Sequence, residues 1–300
     1  MSVLVVGSIA IDSVETPYGK RKKVLGGSAV YFSVSASFFT TVYPVGVVGT
    51  DFPRTYISLL GQRGIDVNGI EIARGKTFRW AGKYGYDLNQ AQTISTALNC
   101  FRDFSPKLRP EHRRLPYVFL ANIDPNLQLM VLKKVAAPRF VACDSMNYWI
   151  QHERKALARL LKRVDVFILN DAEARLFSGE SNLIKAAKYI FSLGPERVII
   201  KRGDGGSLFV TSGQGCFIAP AYLMEEIKDP TGAGDSFAGG FMGFVSKTGD
   251  LSERGLRKAV IYGTVMASFC VQDFGPDNLL KIKPRDVTRR LGDYRRITCF

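Results

Sequence analysis

The sequence predicts a doubly wound α/β domain, a mainly parallel β-sheet flanked by helices, with a small β flap or lid. Three observations predict it. Apolar, largely β-branched runs recur along the chain, helix-length segments separate them, and two segments fit neither pattern. Strands buried on both faces read as continuous apolar runs, and their alternation with helices marks parallel βαβ connections.

The first strand is read in "SVLVVGSIAI". Residues 26–50, "GGSAVYFSVSASFFTTVYPVGVVGT", carry no charge and are long enough to span a bilayer. Serines, threonines and Pro44 dilute that stretch, and its pattern divides into a helical half up to Phe39 and a Val-rich strand after it. Further strands follow in "YVFLAN" (117–122), "RFVAC" (139–143), "VDVFILN" (164–170) and "ERVIIK" (196–201), with helices over 125–136, 149–163 and 183–193. "SLFVTSGQGCFIAP" reads as a hairpin turning at Gly213 to Gly215, and after Asp235 the chain is helical again, including the uncharged run 259–272. Segments 12–24 and 67–101 break this rhythm. The second mixes strand formers with Gly and Asn turns, which suits β-ribbons forming a lid. Residues 1–300 are thus expected to form one domain, with lid segments at about 12–24 and 67–101.

With 46% hydrophobic and 11% aromatic residues in 300, the composition is that of a globular chain. The N-terminus lacks the basic start of a secretory leader, and the five cysteines are scattered with no CxxC and only two histidines. A cytoplasmic location is expected, and neither a zinc site nor a disulfide framework. The net charge of +14 gathers in "KRKK" (20–23) and in 109–114, 153–163 and 281–296. No helix-turn-helix, zinc-finger or RNP-like pattern accompanies it, so nucleic acid is not the expected partner. A non-catalytic, basic nucleic-acid-binding protein is the alternative outside the enzymes.

Two apparent nucleotide motifs are decoys. "GIEIARGKT" ends like a phosphate loop, but five residues separate Gly69 from Gly75 where the motif needs four. No GxGxxG occurs either. In sheets of this kind ligands bind beyond the carboxyl ends of the strands. That directs attention to Asp12, Asn122 with Asp124, Asp144, Asn170 with Glu173, Gly203, and residues 229–235.

The last of these, "DPTGAGDSFAGGF", places Gly232, Ala233 and Gly234 directly before Asp235 at the start of a helix. Small residues let backbone N–H groups approach an anion, and a helix N-terminus supplies unpaired donors with a partial positive charge. The helix dipole there favours an ionised Asp235. A carboxylate beside an anion hole is what a hydroxyl attacking a phosphate requires. An ordinary N-cap uses the same residues, and the short stretch alone does not decide between the two.

The stretch resembles the C-terminal signature of the ribokinase-type (PfkB) carbohydrate kinase family. Other elements resemble the family in the same order: "GSIAID", Gly26 with Gly27, "CDSMNYW", "NDAE" and "KRGDGG", running from the first strand to past residue 270. The resemblance implies a ribokinase-like fold and an ATP- and Mg²⁺-dependent kinase that phosphorylates a hydroxyl of a small sugar or polyol, with a nucleoside as the alternative acceptor. By the same resemblance Asp235 is the general base, and the amides of Gly232, Ala233 and Gly234 hold the transferring phosphoryl group. Asp12, Gly26 and Gly27 meet the acceptor. Asn170 and Glu173 act through water on the magnesium and the nucleotide phosphates, Gly203 and Gly206 line the nucleotide groove, and the adenine lies near residues 262–269. The lid closes over the acceptor and, as in many relatives, is a place for a homodimer contact.

Plainer roles exist for several of these: a turn cap for Asp12, a capping box for Asn170 and Glu173, a hairpin turn for Gly203 and Gly206. The chain also departs from the family. Tyr31 stands where many members carry an acceptor-contacting Asn, and Lys201-Arg202 replaces the commoner Thr-Leu pair. Lys201 is expected at the ATP phosphates, with a surface position as the alternative. Phe78, Arg79 and Trp80 alternate along a strand, so either Arg79 or the aromatic pair faces the acceptor.

Overall fold

The computed structural model describes residues 1–213 and 215–299, so Gln214, in the expected hairpin turn, lies outside the described residues. The strands are β1 (Ser2–Val6), β2 (Ala10–Thr16), β3 (Gly19–Gly26), β4 (Thr41–Gly49), β5 (Ile70–Ala73), β6 (Phe78–Tyr84), β7 (Ala91–Ala97), β8 (Tyr117–Leu120), β9 (Phe140–Asp144), β10 (Val166–Asn170), β11 (Arg197–Lys201), β12 (Ser207–Thr211) and β13 (Gly215–Ala219). Among the described residues nine of them form one sheet, ordered β13-β12-β11-β10-β9-β8-β1-β4-β5. Its pairs are parallel from β5 to β11 and antiparallel at the β11-β12-β13 end. The other four form a second sheet, β3-β2-β6-β7.

The helices are α1 (Ser28–Ala36), α2 (Arg54–Gln62), α3 (Pro125–Lys134), α4 (Asn147–His152), α5 (Arg154–Leu161), α6 (Asp171–Ser178), α7 (Leu183–Phe191), α8 (Ala233–Thr248), α9 (Glu253–Cys270), α10 (Asp277–Lys281) and α11 (Pro284–Thr298). Strand alternation divides the core between the two faces of the large sheet. Val3, Val5, Tyr117 and Phe119 pack with α1, α8 and α9, whereas Leu4, Val6, Val118 and Leu120 pack with α3, α5 and α7. The uncharged stretch 26–50 is α1 and β4, and no helix among the described residues is long and apolar enough to cross a membrane.

Four elements differ from the sequence expectation. "SVLVVGSIAI" is not one strand: after Val6 the chain is tied to the start of α1, Ser8 O accepting from Ala29 N at 3.0 Å, and β2 then enters the smaller sheet. The first helix stops at Ala36. The helix expected over 149–163 is two, because Glu153 leaves helical geometry at φ −122°, ψ 31°. Ile70–Ala73, assigned to the lid, is instead the edge strand of the large sheet, aligned with Gly46–Gly49 of β4. Its four residues, "IEIA", are too few to show a period, and strand pairing decides where they belong.

The smaller sheet has unlike edges. On β3, residues 19–23 are all exposed and include Lys20, Arg21, Lys22 and Lys23; on β7 all seven residues are exposed and none is charged.

Candidate active site

Asp144, Asn170 and Lys201 are the last residues of three adjacent parallel strands, β9, β10 and β11. They stand at the carboxyl edge of the sheet, where the N-terminus of α8 also arrives. The loop before α8 is built around Asp229, which is fully buried. Its carboxylate accepts from Thr231 N at 2.8 Å and from Gly275 N at 3.2 Å, fixing the approach to the helix. Gly232 then takes the left-handed conformation, φ 77°, directly over Tyr31. A side chain there is excluded twice, by the backbone and by the ring.

Ala233, expected as the middle donor of the anion hole, turns its N–H back to Pro230 O at 3.1 Å. Among the described residues no backbone carbonyl accepts from the N–H of Gly232, Gly234 or Asp235. The donors left over lie on either side of Ala233. Asp235 lies in the first turn of α8. Burial, joined by the charge of Asp144, raises its carboxyl to about 7 against the pull of Lys201. The helix dipole, expected to favour the ionised form, is outweighed by desolvation.

Asp12 faces the same region from β2. It is 4% exposed and has its Oδ1 buried with no partner among the described residues. A methyl group on Gly26 would lie 1.9 Å from Asp12 Oδ2, so the paired glycine makes room for the acid. Burial foremost, with the charges of Asp229 and Asp235, raises Asp12 to about 7.

Asn170 and Glu173 form a reciprocal capping box on α6. Asn170 Oδ1 accepts from Glu173 N at 2.7 Å, and Glu173 Oε2 accepts from Asn170 N at 2.7 Å. The box fixes both side chains at the sheet edge. Burial, then the charge of Asp144, raises Glu173 to about 7. Lys201 Nζ reaches Asp144 Oδ2 at 3.3 Å and lies 2.7 Å from where a methyl group on Gly234 would stand. Lys201 thus points into the site rather than to the surface. Gly203 and Gly206 form the turn between β11 and β12, with Arg202 N donating to Gly206 O at 2.7 Å. Asn89, from the loop joining β6 and β7, covers Gly203; its Oδ1 would be 1.7 Å from a methyl group there.

Two residues expected at the acceptor, Tyr31 and Arg79, do not present a free side chain beside Asp12. Tyr31 is 1% exposed beneath Gly232, its hydroxyl buried without a partner, so it is the floor of the loop and not an open contact. Arg79 pairs in register with Ile11, one residue out of step with Asp12, and so occupies the opposite face of the strand. Asp51 holds it there, Oδ2 accepting from Nη2 at 2.7 Å. The residue in register with Asp12 is Trp80, which packs beside the cluster of Val14, Tyr84 and Phe274. Tyr84 reaches the loop before α8, its hydroxyl 3.2 Å from Thr231 Oγ1. Sequence reasoning missed Tyr84, Asn89 and Asp51; in one dimension nothing ties a lid residue to a loop about 150 positions away.

Comparison with known proteins gives the family and the fold. A model described as the pfkB family carbohydrate kinase matches residues 1–283. A cytidine kinase from Thermococcus kodakarensis is 28% identical over 256 residues, 84% of this chain and 91% of that protein. Among solved structures, aminoimidazole riboside kinase from Salmonella enterica, complexed with aminoimidazole riboside and an ATP analog, matches with a TM-score of 0.78 at 19% identity, covering 97% of this chain and 100% of that one. The Methanocaldococcus jannaschii nucleoside kinase, an archaeal member of the ribokinase family, matches with a TM-score of 0.76 at 20% identity, covering 97% and 98%. These two structural likenesses show a shared fold. With the family model matching nearly the whole chain, the protein belongs to the pfkB family of carbohydrate kinases, phosphotransferases that act on a hydroxyl acceptor.

Proposed function

We propose that the protein uses ATP with Mg²⁺ to phosphorylate a hydroxyl on the sugar of a nucleoside, with a free sugar or polyol as the second reading. The observation that carries the acceptor class is the apolar wall beside Asp12. Trp80 stands on the same strand face as the carboxylate, backed by Val14, Tyr84 and Phe274. Its indole is held by a 3.2 Å hydrogen bond from Nε1 to Thr93 Oγ1. A flat ring next to a hydroxyl-binding acid suits a sugar that carries a base, since aromatic faces stack on bases regardless of their hydrogen-bonding edge. The cytidine kinase similar along most of the chain supports the same class.

In this reading Asp12 accepts hydrogen bonds from acceptor hydroxyls through its unpartnered Oδ1. Asp235 takes the proton of the attacking hydroxyl, and a carboxyl poised near 7 is matched to that task at neutral pH. The N–H groups of Gly232 and Gly234 meet the negative charge on the transferring phosphoryl oxygens. Asn170, Glu173, Gly203 and Gly206 line the nucleotide side. No group of three or more His, Cys, Asp or Glu able to hold a metal occurs among the described residues. That fits magnesium, which is commonly held by substrate phosphates, waters and one or two carboxylates. In this reading Glu173 would receive such a water, and the ion when bound would neutralise phosphate charge.

The test is ADP release with cytidine, adenosine, inosine, ribose, fructose and inositol, with and without Mg²⁺. Turnover with at least one nucleoside, exceeding that with any free sugar, is expected. Faster turnover with a free sugar supports the second reading, and none with any acceptor overturns the kinase assignment for this site.

A further inference from the structure

The ammonium of Lys201 is held at the site by an incomplete set of partners. Its side chain is 19% exposed, and its single hydrogen bond among the described residues is the 3.3 Å contact with Asp144. That contact is longer than the 2.7–2.9 Å usual for charge-assisted pairs. An ammonium has three donors, so two have no protein acceptor. Burial works against its charge, while Asp144, Glu173 and Asp235 together hold it protonated. Nζ lies against Gly234 in the first turn of α8, where no backbone carbonyl among the described residues accepts from the N–H of Gly232 or Gly234. Donors gathered at one helix start beside a solvent-reached ammonium suit an anion from outside the chain, which would displace water there.

We propose that Lys201 is a catalytic residue that contacts the transferring phosphoryl group, and that Asp144 is the positioning residue that holds it ready. The proposal rests on the kinase reading of this site and adds to it a cation on the reacting group, in place of the Thr common at this position. In the transfer, the acceptor oxygen forms a bond to the γ-phosphorus while the bond to the β–γ bridging oxygen breaks. The electron pair of that bond leaves with ADP, and the hydroxyl proton passes to Asp235. Lys201 neither gains nor loses a proton. It offsets negative charge on the equatorial oxygens, and because Asp144 has already oriented it, little reorganisation accompanies the reaction. A purely structural counter-ion between β9 and β11 would explain the contact with Asp144 but gives no reason for Nζ to lie against Gly234 at the start of α8.

The experiment compares the wild type with Lys201→Met, Lys201→Thr, Lys201→Arg and Asp144→Asn. It measures kcat with the best nucleoside acceptor, Kd for Mg²⁺-ATP and Mg²⁺-ADP, and Tm. Met and Thr should lower kcat by ~10²–10³-fold, the range for one preorganised donor. Affinity for ATP should fall more than affinity for ADP, which lacks the reacting group. Arg should recover part of kcat, and Asp144→Asn should lower kcat while leaving ADP affinity within about threefold. A folded Lys201→Thr enzyme with kcat within about threefold of wild type overturns the proposal. So does an equal loss of ATP and ADP affinity with kcat intact. A wild type that binds no nucleotide and turns over no acceptor overturns instead the kinase reading beneath it.

Discussion

Tyr31 lies flat beneath Gly232, so close that a methyl group on the glycine would stand 2.3 Å from ring carbons. The loop that presents the cradle thus has an aromatic floor, and the two positions are a matched pair. Gly232→Ala combines this clash with a left-handed φ of 77°. It should cost ~1–3 kcal/mol of stability and lower kcat by at least tenfold. Tyr31→Phe only removes a hydroxyl buried without a partner. It should leave the acceptor KM within about twofold and Tm equal to or above wild type; steady-state kinetics and calorimetry check both.

Removal of the proton acceptor should be felt in turnover alone. Asp235→Ala is expected to reduce kcat by ~10²–10⁴-fold with little change in nucleotide affinity, measured by titration calorimetry. Near-normal turnover would rule the role out.

The activity should also follow pH with a definite sign. Asp235 is held at about 7, and only its ionised form accepts a proton. Log kcat should therefore climb between pH 5 and 7 and level off above about 8. Stability runs the other way. Asp12 is raised from 3.8 to about 7 in the fold, so its protonation is stabilising below its unfolded value, and that contribution is lost as pH rises through 7. Asp12→Asn should raise Tm by ~3 °C or more at pH 8, with little electrostatic difference below pH 4.

The Arg79 and Asp51 pair is partly exposed, at 40% and 27% of their side chains. Such pairs contribute ~0–1 kcal/mol. Arg79→Ala should leave the acceptor KM within about twofold. Asp51→Ala should do more harm, because Asp51 Oδ1 also accepts from Thr77 N at 2.6 Å and Thr77 Oγ1 at 2.7 Å where the chain enters β6.

Trp80→Ala separates the acceptor classes. It should raise KM for a nucleoside by at least tenfold, in line with ~1–3 kcal/mol per stacked base, while KM for free ribose changes little.

What could be read from the sequence was local. "DPTGAGDSFAGGF" carries its own chemistry, because the glycines, the acid and the helix start are consecutive, and the Asn170 and Glu173 box needs only a spacing of three. What could not be read depended on which way a strand faces. Alternation separates Arg79 from Trp80 but does not say which is inside; the register with Asp12 does. Lys201 closes the apolar run of β11, and only the neighbouring strand ends and Gly234 explain its inward direction. Tyr31 looked like a missing amide because its partner, Gly232, is two hundred positions away.

The unlike edges of the lid sheet imply a polarity of association. Edge strands expose unpaired main-chain groups, and lysines are among the means of discouraging foreign strands from adding there. With Lys20 to Lys23 along β3, that border repels a second copy of itself, whereas the uncharged β7 border carries no such deterrent. A strand joining this sheet edge to edge would thus meet four clustered positive charges on one side and none on the other.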